Sequence, residues 1–249
     1  MRLVFLVADD PIYLPAFMER VLNVRAADTQ AVYLVPARIN RQSAVQNARR
    51  YYCTFGFHAA MGLGWRLLQA HAKRHSVKAV CRRRGLHAAT VRDVNDAGFL
   101  EELRTISPDV IVSVSCSQIF GRDLLEVPFI GCLNIHGAIL PAYRGLMPSF
   151  WMLANGEKRA GVSIHFTNEE IDAGDLCGQR TFDIDPTETL DQFLRRSKTV
   201  AADLLLEVLG ATQRNTVERV SLDPKSGSYY SWPNKEDVKR FRAHGRRFW

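Results

Sequence analysis

Asn134 and His136 stand two residues apart at the end of an apolar run, Leu133-Asn134-Ile135-His136, and Gly137-Ala138-Ile139-Leu140-Pro141-Ala142-Tyr143-Arg144-Gly145 follows. In a strand that spacing puts both side chains on one face. An amide donor beside an imidazole can hydrogen-bond a carbonyl oxygen and stabilise the charge that develops on it. Acyl transfer is the chemistry such a pair suits. Further along, Gly161 to Phe166 alternates as a strand and runs into an acidic turn, Thr167-Asn168-Glu169-Glu170-Ile171-Asp172-Ala173-Gly174-Asp175, which can bring a carboxylate to the imidazole.

Taken together, the two segments resemble the folate-dependent formyltransferases, whose shared pattern is Asn-x-His-x-x-x-Leu-Pro-x-Tyr-Arg-Gly followed downstream by Leu/Ile-Asp-x-Gly-Asp. The resemblance runs from about Pro108 to Leu209 and is specific, because two separated motifs occur in the right order. It implies that Asn134, His136 and Asp172 are catalytic, with Asp175 the fallback carboxylate. It also implies 10-formyltetrahydrofolate as the donor. The pterin ring of that donor would lie against the loop after the fourth strand, on the backbone of Gln118, Ile119 and Phe120, with Leu125, Thr167 and Glu170 completing the contact. His165 falls on the polar face of its strand and reads as lining the substrate, not as catalytic. The chain departs from many members after the first strand, where Ala8-Asp9-Asp10-Pro11 replaces a Gly-rich turn.

The elements that must carry these residues follow from periodicity. Leu3 to Ala8 reads as a strand. Leu14, Phe17, Met18, Val21 and Leu22 recur at helical spacing after it. Ala31 to Val35 and Val110 to Val114 read as buried strands, and Val77 to Val80 as a third candidate between them. The stretch from Ser43 to His75 reads as helical, and Val91 to Ile106 contains a helix ended by Ser107-Pro108. Asp185-Pro186-Thr187-Glu188 has the form of a helix start, with Gly210 as its stop. Strands alternating with helices predict an α/β fold with a doubly wound, mostly parallel sheet and a Rossmann-like core over residues 1–210. Residues 211–249 then form a short basic and aromatic appendage.

A chain of 249 residues, 47% hydrophobic and 24% charged, has the composition of a globular protein. The apolar run Leu3 to Ala8 is too short for a membrane span or a signal peptide. Five scattered cysteines with no Cys-x-x-Cys pair predict a reducing cytoplasm and no metal site. No Gly-x-Gly-x-x-Gly occurs, so no nicotinamide cofactor is expected. Residues 29–92 contain no Asp or Glu but twelve Lys or Arg. Such a segment suits an anionic partner or a solvated basic face.

Among the formyltransferases the chain most resembles the sugar N-formyltransferases, which implies the amino group of a nucleotide-linked amino sugar as the formyl acceptor. Arg38, Arg41, Arg49 and Arg50 would pair with the diphosphate, Tyr143 and Arg144 would contact the acceptor, and Tyr230 or its neighbours Tyr229 and Trp232 would stack on a base or complete a homodimer contact. Methionyl-tRNA enzymes resemble the motif but carry a large C-terminal barrel, and only about forty residues follow Gly210. Glycinamide ribonucleotide enzymes usually have Pro where Arg144 stands. A hydroxyornithine-type siderophore precursor is a further small amine, and a catalytically silent binding protein is the reading outside the enzyme class.

Overall fold

Six consecutive apolar residues form β1 (Leu3–Ala8), and β2 (Thr29–Val35) and β4 (Val110–Val114) are almost as continuously apolar. Unbroken apolar runs are what a sheet covered on both faces requires. The computed structural model describes residues 1–36 and 44–249, and these strands lie at the centre of its main sheet. The remaining members are β3 (Ala88–Thr90), β5 (Gly131–His136), β7 (Arg159–Phe166) and β8 (Leu176–Asp183), giving the order β3-β2-β1-β4-β5-β7-β8. The first five run parallel, whereas β7 and β8 are antiparallel. The α/β class and the mostly parallel sheet agree with the sequence.

Alternation along β1 sorts its side chains to two faces. Leu3, Phe5 and Val7 pack beneath α1 (Leu14–Arg25), α4 (Val77–Arg83) and α8 (Leu190–Gln213). Val4 and Leu6 pack on the opposite face with Phe99, Leu100 and Leu103 of α5 (Ala97–Ile106). A third cluster gathers Phe55 of α2 (Ala44–Phe55), Ala59 of α3 (Phe57–Ala72), Phe150 of α7 (Pro148–Ala154), Phe193, and Phe241 of α9 (Lys235–Ala243), with Phe248. Residues beyond 210 are thus built into the body that carries α7. A two-stranded parallel pairing of β6 (Arg144–Gly145) with β9 (Tyr229–Tyr230) adds to this join.

Three expectations about elements are corrected. Val77 to Val80 is the start of α4, because Ser76 caps it by accepting from the Ala79 N–H at 3.2 Å and Val77, Val80 and Cys81 recur at helical spacing. The third strand is β3, eight residues further on. The long helix starts at Leu190, where Thr189 and Gln192 form a reciprocal capping box, while Asp185 instead closes a local turn on Thr187. It also runs through Gly210 to Gln213, with Leu209 and Thr212 still buried.

Candidate active site

β5 ends beside β7, and the register sets Asn134 opposite His165 and His136 opposite Ser163. Side chains directly opposite in an antiparallel pair touch. Asn134 Nδ2 accordingly lies 3.2 Å from His165 Nε2, and it donates to Asp172 Oδ1 at 3.3 Å. His136 Nδ1 faces Asp172 Oδ2 at 3.4 Å and its Nε2 faces the Tyr143 carbonyl at 2.8 Å. Both ring nitrogens therefore meet oxygen. The sequence-predicted trio is assembled in one place.

Asp172 sits in the turn between β7 and β8 with φ of 51°, in the left-handed region. Its Oδ1 is 3.6 Å from His165 Nε2, and its Oδ2 accepts from the Gly145 N–H at 2.9 Å. Burial by itself raises this carboxyl's pKa, but hydrogen bonds from His136 and His165, the charge of His136 and the Gly145 N–H overcome it and hold the group well below the usual carboxylate range. Asp172 is ionised throughout the physiological range. Two glycines allow the turn to close: a Cβ at Gly174 would strike the Phe166 carbonyl, and one at Gly145, at φ of 95°, would strike that of Tyr230.

Tyr143, Arg144 and Gly145 each hold one part of the trio from behind. The Tyr143 carbonyl takes His136, and the Arg144 guanidinium donates to the Ile171 carbonyl at 2.8 and 3.0 Å and to Glu170 at 2.8 Å, clamping the turn next to Asp172. Gly145 supplies the N–H already described. The expectation that Tyr143 and Arg144 contact the acceptor is corrected. Arg144 is buried, and the Tyr143 ring stacks on Tyr230 while its hydroxyl donates to Glu157 at 2.6 Å. Tyr230 is likewise engaged there, and it is Tyr229 that reaches the cleft.

The cleft beside the trio encloses about 450 Å³. On one side it is lined by Gln118, Ile119 and Phe120 and by the turn from Thr167 to Asp172. The loop is braced before anything binds: the Gln118 amide accepts from Val94 N–H and donates to the Arg92 carbonyl, both at 2.9 Å, and Asn95 ties Ile119 and Gly121. Thr167 Oγ1 is buried on this wall without a hydrogen-bond partner among the described residues. Leu125 lies off the cleft, packed against the α5 cluster, because the short helix α6 (Arg122–Leu125) turns it inward. Burial pushes the Cys116 thiol up to about 11, which leaves no thiolate nucleophile in the cleft.

The cleft is also lined by Asp10, Tyr13, Ser115 and Lys198, none of which the motif reading had selected. Lys198 donates to Ser115 Oγ at 2.7 Å. Burial lowers its pKa, opposed by the charge of Asp10, and burial likewise raises that of Asp10. A helix periodicity reading marks Lys198 only as a polar position of α8, so nothing in the sequence distinguished it. The expected arginines do not meet the cleft: Arg49 is exposed on α2, and the Arg50 guanidinium lies 4.6 Å from the Trp232 ring centre. Arg38 and Arg41 lie outside the described residues. Among the described residues no cluster of His, Cys, Asp or Glu has the form of a metal site, and no helix is long and apolar enough to cross a membrane.

The family description "Formyl transferase" matches residues 1–209. The methionyl-tRNA formyltransferase of Thermotoga maritima is 36% identical over 162 residues, which are 65% of this chain and 52% of that protein. That of Ruminiclostridium cellulolyticum is 31% identical over 160 residues, 64% and 51% of the two chains. The chain thus spans about half the length of the curated relatives it matches. Among solved structures, a sugar N-formyltransferase from Shewanella superposes with a TM-score of 0.60 at 21% identity, covering 97% of this chain and 88% of the other. Glycinamide ribonucleotide transformylase 1 from Symbiobacterium toebii gives 0.61 at 16% identity, covering 90% and 94%. At these identities the two superpositions establish the shared fold.

Proposed function

The chain belongs to the formyl transferase family, and from that premise we propose that it transfers a formyl group from 10-formyltetrahydrofolate to the amino group of a nucleotide-linked amino sugar. The observation that carries the transfer is the meeting of Asn134, His136 and ionised Asp172 at the mouth of a braced cleft. The wall of Gln118, Ile119, Phe120, Thr167 and Glu170 suits the donor, since the unpartnered Thr167 hydroxyl offers a hydrogen bond to a polar ring edge. Solved relatives in complex carry folinic acid with dTDP-3-aminofucose in the Helicobacter canadensis enzyme, and dTDP with 5-N-formyl-THF in another sugar 3N-formyltransferase.

The donor, when bound, presents a formyl carbon to the attacking amine. Asn134 and His136 then stabilise the carbonyl oxygen as it gains negative charge. Their present contacts to Asp172, at 3.3 and 3.4 Å, are long enough to yield to that oxygen. Asp172 accepts, directly or through a water, the proton that the amine sheds, and as the bond from the formyl carbon to the donor nitrogen breaks that nitrogen takes up a proton and tetrahydrofolate leaves. Glu170 is held by Arg144, while Asp10 and Glu169 add carboxyl groups to the cleft lining, which favours an acceptor arriving by its amine.

Mass spectrometry after incubation with 10-formyltetrahydrofolate and a panel of nucleotide-linked amino sugars tests this: one sugar gains a single formyl group, and His136→Ala abolishes the gain. A second acceptor is favoured by the sequence relatives. If charged initiator tRNA is formylated and no amino sugar is, the acceptor is methionyl-tRNA, and formylation of neither rejects the transfer.

A further inference from the structure

The helix α3 has two faces of opposite character. Towards the body, the Ala59 carbonyl accepts from Trp249 Nε1 at 3.1 Å, a Cβ on Gly62 would collide with the Trp249 ring, and Arg66 pairs with Asp191 at 2.8 Å. Away from it stand Phe57, Met61, Trp65 and Leu68, which are 60, 58, 61 and 64% exposed. Spacings of four, four and three residues align them along one side of the helix. On α2, Val45 and Tyr52 are 78 and 52% exposed and, seven residues apart, share a face with Arg49 between them. A monomer surface seldom carries so many adjoining large apolar side chains without a partner.

Basic groups flank this patch. Arg49, Lys73 and Arg74 are exposed on or beside it and take part in no ion pair among the described residues. Residues 29–92 hold no carboxylate that could pair with them. We propose that the α2–α3 face docks the protein on an anionic lipid bilayer, with Phe57, Met61, Trp65 and Leu68 entering the interface and the basic groups at headgroup level. Aromatic and aliphatic side chains on one helix face, basic flanks and no acid are the composition of an interfacial helix. A second copy of the chain would set the same cations against each other across a two-fold axis with no acid in the patch to pair them. RNA would match the charge but would leave the aliphatic row in water.

The test is sedimentation of the intact protein with vesicles of phosphatidylcholine alone or mixed with phosphatidylglycerol, read independently of any formyl transfer. Binding to the anionic vesicles is expected to be at least about tenfold tighter, and to fall at least about tenfold in Trp65→Ser/Leu68→Ser with an unchanged thermal midpoint. Brominated lipids should quench a tryptophan signal that Trp65→Phe removes while binding persists. Arg49→Glu/Arg74→Glu, at solvated positions that leave folding intact, should weaken binding to anionic vesicles only. The proposal is overturned if neither vesicle binds, or if the substituted proteins bind as well as the parent. A concentration-dependent dimer lost in Trp65→Ser/Leu68→Ser without lipid binding would assign the face to a second copy, and salt-sensitive RNA binding in place of lipid would assign it to RNA.

Discussion

Asp172 receives contacts from two imidazoles, the Asn134 amide and a backbone N–H, while Arg144 fixes the residue before it. Its role in a proton relay depends on the carboxylate charge, so Asp172→Asn keeps the shape and removes the function. Turnover in Asp172→Asn, Asn134→Ala and His136→Ala is expected to fall at least about a hundredfold each with the fold retained. Steady-state rates on the purified variants decide this, and a near-normal His136→Ala rate would refute the assignment. The same charge has a thermodynamic consequence. Because the folded state depresses the Asp172 pKa below its ordinary 3.8, the stabilisation is present above that value and is lost as the pH drops beneath it. The melting midpoint of Asp172→Asn should therefore lie below the parent's at neutral pH, with the gap narrowing progressively as the pH falls below about 4. A gap that stays constant down to pH 3 would mean that packing, not charge, sets the difference. At this scale strand spacing put Asn134 and His136 on one face, and the two-motif resemblance made them catalytic candidates. His165 was legible only as a lining residue: its place between Asn134 and Asp172 comes from cross-strand register, which sequence spacing does not contain.

Elements were legible where the pattern was one-dimensional, as in the fully apolar β1 and β4. They were misread where a cap outweighed composition: Ser76 turns the apolar stretch after it into α4, and Thr189 with Gln192 starts α8 four residues beyond the Pro-containing candidate Asp185. In sequence, residues 211–249 read as a short basic and aromatic appendage. In the fold, Phe241 stacks on Phe150, the α7 residue that also lines the cleft, and Phe248 packs against Phe241 and Phe55. Phe248→Ala should consequently destabilise the whole catalytic body by about 3–5 kcal/mol, whereas Thr189→Ala at the α8 cap should cost about 1 kcal/mol. Urea unfolding followed by tryptophan fluorescence and by far-ultraviolet dichroism would show a single shared transition for Phe248→Ala. Loss of a separate early transition, with the main one unmoved, would show instead that the C-terminal segment unfolds by itself.

Across the molecule, a net charge of +7 is distributed unevenly, and the two signs serve different surfaces. Basic groups cover α2 to α4, while the cleft carries Asp10, Glu169, Glu170 and Asp172 against Lys198. Arginines from residues 38 to 50 were the natural partners for an acceptor's phosphates when only charge density was visible. Of those described, Arg49 faces solvent and Arg50 is held on Trp232, which moves the expected anion contact to Lys198. A compact acceptor gripped by one ammonium and hydroxyl groups loses few counterions on binding, so its Michaelis constant should rise only gently with salt. Lys198→Met should raise that constant more than it lowers turnover, because Lys198, held on Ser115, is not among the groups set around Asp172 and supports binding in ground and transition states alike. Arg49→Ala should leave both parameters for a soluble amino-sugar nucleotide unchanged. A steep salt dependence, with Arg49→Ala as damaging as Lys198→Met, would instead place a polyanion across the basic face and point to tRNA as the substrate.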